Sequence, residues 1–462
     1  MKKSLLLLAC CLLAMPVIVS AENDPWKRAD EILQNISDPV FPDRSWDITK
    51  SGAKPGPRHD NTRTINRLIE RASKAGGGKV VVPAGEFYTG PITLKSNVNL
   101  HLEEGAVLKF SNDPNDYVPF VRTRWEGLDV INYRPLIYAF EETNIAITGK
   151  GVLDGQADND SWWWMKEKKE FGWKEGMSSQ YQTGRPKLMK MAEDNVPVEQ
   201  RVMTKDDLLR PQFVNPVSCT NVLIEGVTII RAPFWVIHPI FCENLTVRNV
   251  TVNSHGPNND GCNPESSRNV LIEGCEFDTG DDRIAIKSGR NNDGRNTPIP
   301  SENIIVRNCH MKDGHGGGGM GSEISAGVSN VFVEDCTMDS PELDRVIRIK
   351  TNTVRGGYVR DIYVRNIEVG ECKEAVFRIE LMYERRDGNG PYMPDIRNIV
   401  LENVNSQKSR YGVFIEGREE EIVVSDISFI NCDFHNVETP TRISGSKNIE
   451  FKNVSFTVDE VK

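Results

Sequence analysis

From Asn221 onward the apolar and polar positions fall into one recurring frame: Asn or Asp, apolar-x-apolar, two residues, then apolar-x-apolar again. It fills residues 221–229 and restarts at Asn244, Asn269, Asn303, Asn330, Asp361, Asn398, Asp426 and Asn448, nine copies in all. The copy at Asn398 is imperfect, with Ser406 where the last apolar residue belongs, and starts lie 22 to 37 residues apart, so the unit accepts loop insertions. Alternation on either side of a two-residue break is the period of two short strands with one buried face. The second residue of the break is Gly226, Asn249, Gly274, Asn308, Asp335, Asn366, Asn403, Asn431 or Asn453. Those types tolerate left-handed backbone angles, so the chain bends there. Short strands, a tight bend and roughly two dozen residues per unit predict an all-β, right-handed parallel β-helix, a solenoid whose coils stack their apolar residues. The rival, a β-propeller, repeats at about 40 residues.

Upstream, residues 60–75 carry Ile65, Leu68, Ile69 and Ala72 on one helical face and end at Gly76-Gly77-Gly78, which predicts a helix capping the open end of the stack. Strands are expected at 79–82, 97–102 and 144–148. Residues 156–209 break the pattern and hold Trp162, Trp163, Trp164, Trp173 and Tyr181 among many charges. They read as a long loop on the side of the solenoid, within one domain spanning 22–462.

Composition narrows the function. The 462 residues carry 56 Lys+Arg against 66 Asp+Glu, a net charge of -10, which excludes a basic nucleic-acid binder. Lys2, Lys3, an apolar run over 5–19 and Val19-Ser20-Ala21 form an export signal cleaved before Glu22. Cleavage removes two lysines and no acid, taking the charge to -12. Lipidation at Cys10 is the less favoured reading, because the apolar run continues past it. No later stretch reaches the ~20 apolar residues of a membrane span. The expected location is periplasmic or secreted, and the expected state monomeric.

Cys275, Cys309, Cys336 and Cys432 occupy the register that Val227, Val250, Ile367, Val404 and Val454 hold in other copies, so they read as small buried apolar residues. Cys219 and Cys242 each precede a repeat by two residues and could stack or form a disulfide.

Chemistry gathers after four consecutive copies: Asn258-Asn259-Asp260, Gly280-Asp281-Asp282, Gly314-His315-Gly316 and Arg348-Ile349-Lys350. Matching places in adjacent coils lie about 5 Å apart, so three carboxylates, an imidazole and two cations would share one patch. Ile347 and Ile349 fit the buried face, which leaves Arg348 and Lys350 outside together, able to clamp an anion. Clustered carboxylates raise one another's pKa and so supply an acid and a base for glycoside hydrolysis. The same acids could instead hold calcium.

These motifs, in this order and with this spacing, resemble glycoside hydrolase family 28, the polygalacturonases and their relatives. The resemblance runs from about Ile48 to Val461 and includes residues 78–94 and 235–239. It implies metal-free, cofactor-free hydrolysis of α-linked galacturonic acid with inversion. By carry-over Asp281 is the proton donor, Asp260 and Asp282 hold and activate water, and His315 supports the acid. Arg348 and Lys350 bind a galacturonate carboxylate, with Asn258, Lys287, Arg283 and His238 as further substrate-binding candidates. Arg283, Asn263 and Gly318-Gly319-Met320 depart from the family pattern; Arg283 could lower the pKa of its acidic neighbours or touch an acidic sugar. Segment 156–209 is a candidate wall for an exo-acting enzyme on homogalacturonan or pectic oligosaccharides, its tryptophans serving either as sugar platforms or as the loop's own core. A rhamnogalacturonan-directed hydrolase, a calcium-dependent pectate lyase and a non-catalytic sugar-binding β-helix are the alternatives.

Overall fold

The computed structural model describes residues 24–57, 59–384 and 390–458. The export signal, with Cys10, lies outside these residues. Twenty-four strands join in one continuous pairing system, parallel from coil to coil, which makes the chain a parallel β-helix. Ile145 pairs with Val98 below and Val222 above, and the same column continues through Leu245, Val270, Ile304 and Val331. Every member is buried. Each such aliphatic side chain stabilises the stack by about 1.5–3 kcal/mol relative to exposure.

The frame's first polar residue does more than mark the repeat. All nine starting positions have φ between 53° and 59°, and all nine break residues lie between 51° and 77°. Asn97 and Asn144 extend the first column downward with φ of 63° and 54°. Their amides form a ladder: Asn144 donates to Asn97 at 3.0 Å, Asn221 to Asn144 at 2.9 Å, and Asn330 to Asn303 at 3.2 Å. From Val328 on, pairing runs through the bends, giving strands Val328–Met338, Tyr358–Glu371, Asp395–Glu416 and Val424–Ser444 where two short strands per copy are expected. Like bends stack on like, so the ladder of backbone bonds need not stop at them.

Helix α2 (Thr62–Lys74) buries Ile65, Leu68, Ile69 and Ala72 against the first coils, as its periodicity predicts. Helix α1 (Pro25–Asn35), which the sequence pattern leaves unmarked, crosses the outside of the solenoid over Leu271, Ile305 and Phe332. Segment 156–209 is more ordered than a loop. It contains α3 (Gly184–Glu193), whose Leu188 and Ala192 pack with Trp125, Leu128 and Val130 of an antiparallel hairpin, Val121–Trp125 with Leu128–Asn132. Trp162 packs edge-on to Tyr117 and Tyr133, and Trp163 donates from Nε1 to the Ala232 carbonyl at 2.9 Å. These two pack into the main core of the solenoid, against residues outside the segment, and not into a core of the loop's own.

All eight described cysteines are buried free thiols, Cys219 and Cys242 among them. That pair stacks without a disulfide. Cys336 pairs in register with Ile367 and Cys432 with Val454, in the apolar columns where the frame puts them.

Candidate active site

Cys262, Ile284 and Gly318 form consecutive rungs of one column. Two residues earlier, Asp260, Asp282 and Gly316 share a level, with Gly261 N–H donating to the Asp282 carbonyl and Arg283 N–H to the Gly316 carbonyl, both at 2.9 Å. Three of the four motifs therefore match residue for residue. The fourth is displaced along its strand: Arg348 pairs with Gly319 and Lys350 with Gly321. Long cationic side chains must reach back to the acids, and the glycines make room. A Cβ on Gly316 would lie 2.7 Å from Asp282 Oδ1.

The three acids are not equivalent. Asp281 opens into a pocket of about 290 Å³, which it lines with Asn258, His315, Lys287, Arg348 and Lys350. Asp260 and Asp282 lie below that surface, their side chains 4% and 1% exposed. Lys350 Nζ is 2.6 Å from Asp282 Oδ2, and Lys287 Nζ is 3.6 Å from Asp260 Oδ2. Ammonium groups thus stand beside these two carboxylates, so the donor set is not that of a calcium site, which draws clustered carboxylates onto a hard cation. Asp282 Oδ1 is buried with no protein donor.

Asp281 accepts from Asn258 Nδ2 at 3.3 Å and from the Asp282 backbone N–H at 3.0 Å, and its Oδ1 lies 3.3 Å from His315 Nδ1. Burial, which would raise the Asp281 carboxyl, is outweighed by the hydrogen bond and charge of His315 and by Lys350 and Lys166, so it stays well below the usual carboxylate range. The same contact raises His315. Asp282 is also buried, and the Lys350 charge keeps it low. Burial and the Asp281 charge push Asp260 well above the carboxylate range. The raised carboxyl expected from like-charge crowding is therefore Asp260, while Asp281 and His315 share a proton as a pair.

Arg348 is 3.2 Å from Glu380 and, with Lys350, stands over the Tyr383 ring at 5.4 and 5.3 Å. Lys287 covers Trp235 at 4.4 Å. Buried Arg210 fixes the first motif, donating to Pro257 O at 2.7 Å and Asn258 Oδ1 at 2.9 Å.

Two sequence candidates fall elsewhere. His238 is fully buried, its Nε2 2.8 Å from Glu265 Oε2 and its Nδ1 3.3 Å from Gln212 Nε2. Burial lowers its pKa, and it belongs to an internal network and does not line the pocket. Arg283 is fully buried as well, and burial pushes its pKa down to about 10. Its guanidinium runs under the turn to within 3.0 Å of where a Cβ on Gly314 would stand. It faces Asp282 from beneath, with Asp313 and Asp278 nearby, and does not reach the pocket.

The rest of the pocket comes from outside the repeats: Lys166, Lys168, Phe171, Tyr181 and Arg185 from the inserted segment, Glu126 from the hairpin tip, and Tyr383 and Glu384 after the strand Ala375–Glu380. Ion pairs knit these together across the groove. Arg185 bonds Glu126 at 2.8 Å and Glu384 at 3.2 Å; Arg290 bonds the same two at 3.3 and 3.1 Å; Arg355 joins Glu384 at 2.6 Å. The inserted segment is thus tied by ion pairs to the hairpin tip and to Glu384. The sequence marked the segment 156–209 as a candidate wall, Tyr181 included, but not which of its residues line the pocket, because none sits in the repeated frame.

An acid cluster with one exposed, imidazole-coupled carboxyl, on a parallel β-helix and in a cation-lined pocket, defines a glycoside-hydrolase site for acidic saccharides. The family model for "Glycosyl hydrolases family 28" matches residues 199–419. The solved structure of a hyperthermoactive exopolygalacturonase from Thermotoga maritima is 43% identical, with a TM-score of 0.91 over 94% of this chain and 96% of that one. An exo-poly-α-D-galacturonosidase of Dickeya chrysanthemi is 26% identical over 89% of this chain and 70% of that protein. An endo-polygalacturonase of Pectobacterium carotovorum is also 26% identical, over 75% and 79%. The chain belongs to glycosyl hydrolases family 28 and is a glycoside hydrolase.

Proposed function

We propose that the protein releases single galacturonic acid units from the ends of unesterified pectic chains by inverting hydrolysis. The observation that carries the exo reading is the Arg185–Glu126–Arg290–Glu384–Arg355 network, which ends the groove beside Asp281. A chain threading past would have to break several buried ion pairs, at about 3–5 kcal/mol each. The small pocket and the exopolygalacturonase likeness support the same reading over an open endo groove. The rhamnogalacturonan, lyase and binding-only alternatives gain no such support.

Asp281 is the proton donor, as the acid that meets the pocket. The proton of the Asp281–His315 pair, held on the imidazole at rest, passes through Asp281 to the glycosidic oxygen as the bond to the anomeric carbon breaks, leaving the Asp281 carboxylate and a neutral His315. Asp282, held ionised by Lys350, accepts a proton from the attacking water at the partnerless Oδ1. Asp260 accepts or donates a second hydrogen bond to that water. Arg348 and Lys350 bind a carboxylate next to the scissile bond, with Asn258 and Lys287 shaping its surroundings. The enzyme works as a monomer exported to the periplasm or outside the cell. The export pattern of residues 1–21 supports that location, and among the described residues no helix is long and apolar enough to cross a membrane.

Asp281→Asn tests the assignment. Turnover should fall by roughly 10²–10⁴-fold, the worth of general-acid catalysis, with substrate binding retained. Undiminished turnover would remove Asp281 from the mechanism.

A further inference from the structure

Lys166 stands on the inserted segment, in the short turn Trp163–Lys166, and lines the same pocket as Arg348 and Lys350. It shares that lining with Asp281 and with Glu126 of the ion-pair network, and its ammonium feels the charge of both, with Arg210 and Lys168 also near. Its partner is a phenol, since Lys166 Nζ donates to Tyr181 Oη in a short hydrogen bond and lies 4.8 Å from that ring's centre. Arg185 approaches the same ring at 5.4 Å, so the wall presents a tyrosine flanked by two cations.

Lys350 and Arg348, which line the same pocket, each hold a carboxylate of the protein. Lys350 holds Asp282 at 2.6 Å, and Arg348 holds Glu380 at 3.2 Å. Among the described residues no carboxylate bonds Lys166. An ammonium with a neutral partner keeps donors for an incoming anion, and the partly desolvated site strengthens any charge-assisted bond it makes. Burial pushes the Lys166 pKa down to about 8, the direction expected of a cation short of a counter-ion.

Resting on the exo reading, we infer that Lys166, steered by Tyr181, binds the carboxylate of the terminal sugar at the closed end of the pocket, the sugar that is released. Arg348 and Lys350 serve the carboxylate on the other side of the scissile bond. The enzyme then reads two successive uronates, and the substrate class narrows to chain ends whose last carboxyl is free rather than methyl-esterified or replaced by a neutral sugar.

The test pairs a protein change with a substrate change. Trigalacturonate and the same trisaccharide methyl-esterified on the released sugar are given to the wild-type enzyme and to Lys166→Met, and kcat/KM is measured for each. The wild type should prefer the free acid by roughly 10- to 100-fold, the range of a charged hydrogen bond. Lys166→Met should lose a similar factor on the acid, mainly through KM, yet less than about threefold on the ester. Equal losses on both substrates would overturn the inference and leave Lys166 a strut for Tyr181. So would a wild type indifferent to the ester. If Lys166→Met lowers thermal stability, Lys166→Arg decides: retained preference for the acid agrees, and lost preference contradicts. Failure of the exo reading shows separately, as mixed oligomers from the wild type on a long chain.

Discussion

Removing the ammonium of Lys350 exposes how much of the site is electrostatic. Lys350 and Asp282 are both almost wholly buried and meet at 2.6 Å, and the other Asp282 oxygen has no protein donor. Lys350→Met keeps the length and apolar stem of the side chain but leaves a carboxylate in low dielectric with no counter-ion. Breaking one partner of a buried pair costs about 3–5 kcal/mol, with the ceiling set by protonation of Asp282, which escapes the cost by becoming neutral. In the native protein Asp282 sits below its ordinary pKa because Lys350 outweighs its burial. A depressed carboxylate adds stability above its unfolded pKa and loses it as pH falls through the folded one. In the wild type that loss lies below the ordinary carboxylate range, whereas in Lys350→Met burial without the counter-ion raises Asp282 and the variant loses stability as pH rises through that raised pKa, so the stability gap should be larger near pH 8 than near pH 4. Urea midpoints at the two pH values measure it. Kinetics give an independent reading: a neutral Asp282 cannot take the proton of water, so kcat should fall by at least about 10² at pH 5 and recover partly as pH rises and Asp282 ionises. A variant with raised KM, unchanged kcat and an unchanged urea midpoint would refute this reasoning and reduce Lys350 to a substrate clamp.

The remaining expectations use other parts of the structure. His315→Ala removes the imidazole that, raised by Asp281, holds the proton of the pair, so the alkaline limb of kcat/KM should move to lower pH and kcat should drop about 10²-fold; an unmoved limb would contradict the pairing. Asn303→Ala deletes amide bonds to Asn269 and from Asn330, 3.0 and 3.2 Å long, at a φ of 57°. At about 0.5–1.5 kcal/mol each the loss should be about 2 kcal/mol by chemical denaturation, and Asn303→Gly should recover the backbone part of it. A loss below about 0.5 kcal/mol would mean the ladder merely decorates the coils.

The fold was legible because one frame, repeated nine times, carries both the buried columns and the left-handed bends. The acid cluster was legible for the same reason, since one motif follows each of four consecutive copies, 14, 11, 11 and 18 residues after their starts, and stacking brings them together. The limits have equally physical causes. Arg283 directly follows Asp282 and His238 lies in the stretch 235–239, but both side chains are buried under the surface, which spacing alone does not report. The displacement of Arg348 and Lys350 along their strand depends on the length of the loop before it. Lys166, Tyr181 and Arg185 belong to an insertion with no periodicity to place them, and Glu126 and Glu384 join them only through contacts across the groove. Helix α3 was hidden by charge, since most of its residues face the solvent or the ion-pair network and not a long apolar seam.

The most direct test of the account is the product distribution over time from the purified protein on polymeric homogalacturonan, separated by size and checked for unsaturation. The account predicts saturated monogalacturonate from the first minutes, with the polymer shortening slowly and no intermediate oligomers. Early mixed oligomers would show that the groove is not closed at the Arg185–Glu384 bridge. Unsaturated products would contradict the hydrolytic roles given to Asp281 and Asp282.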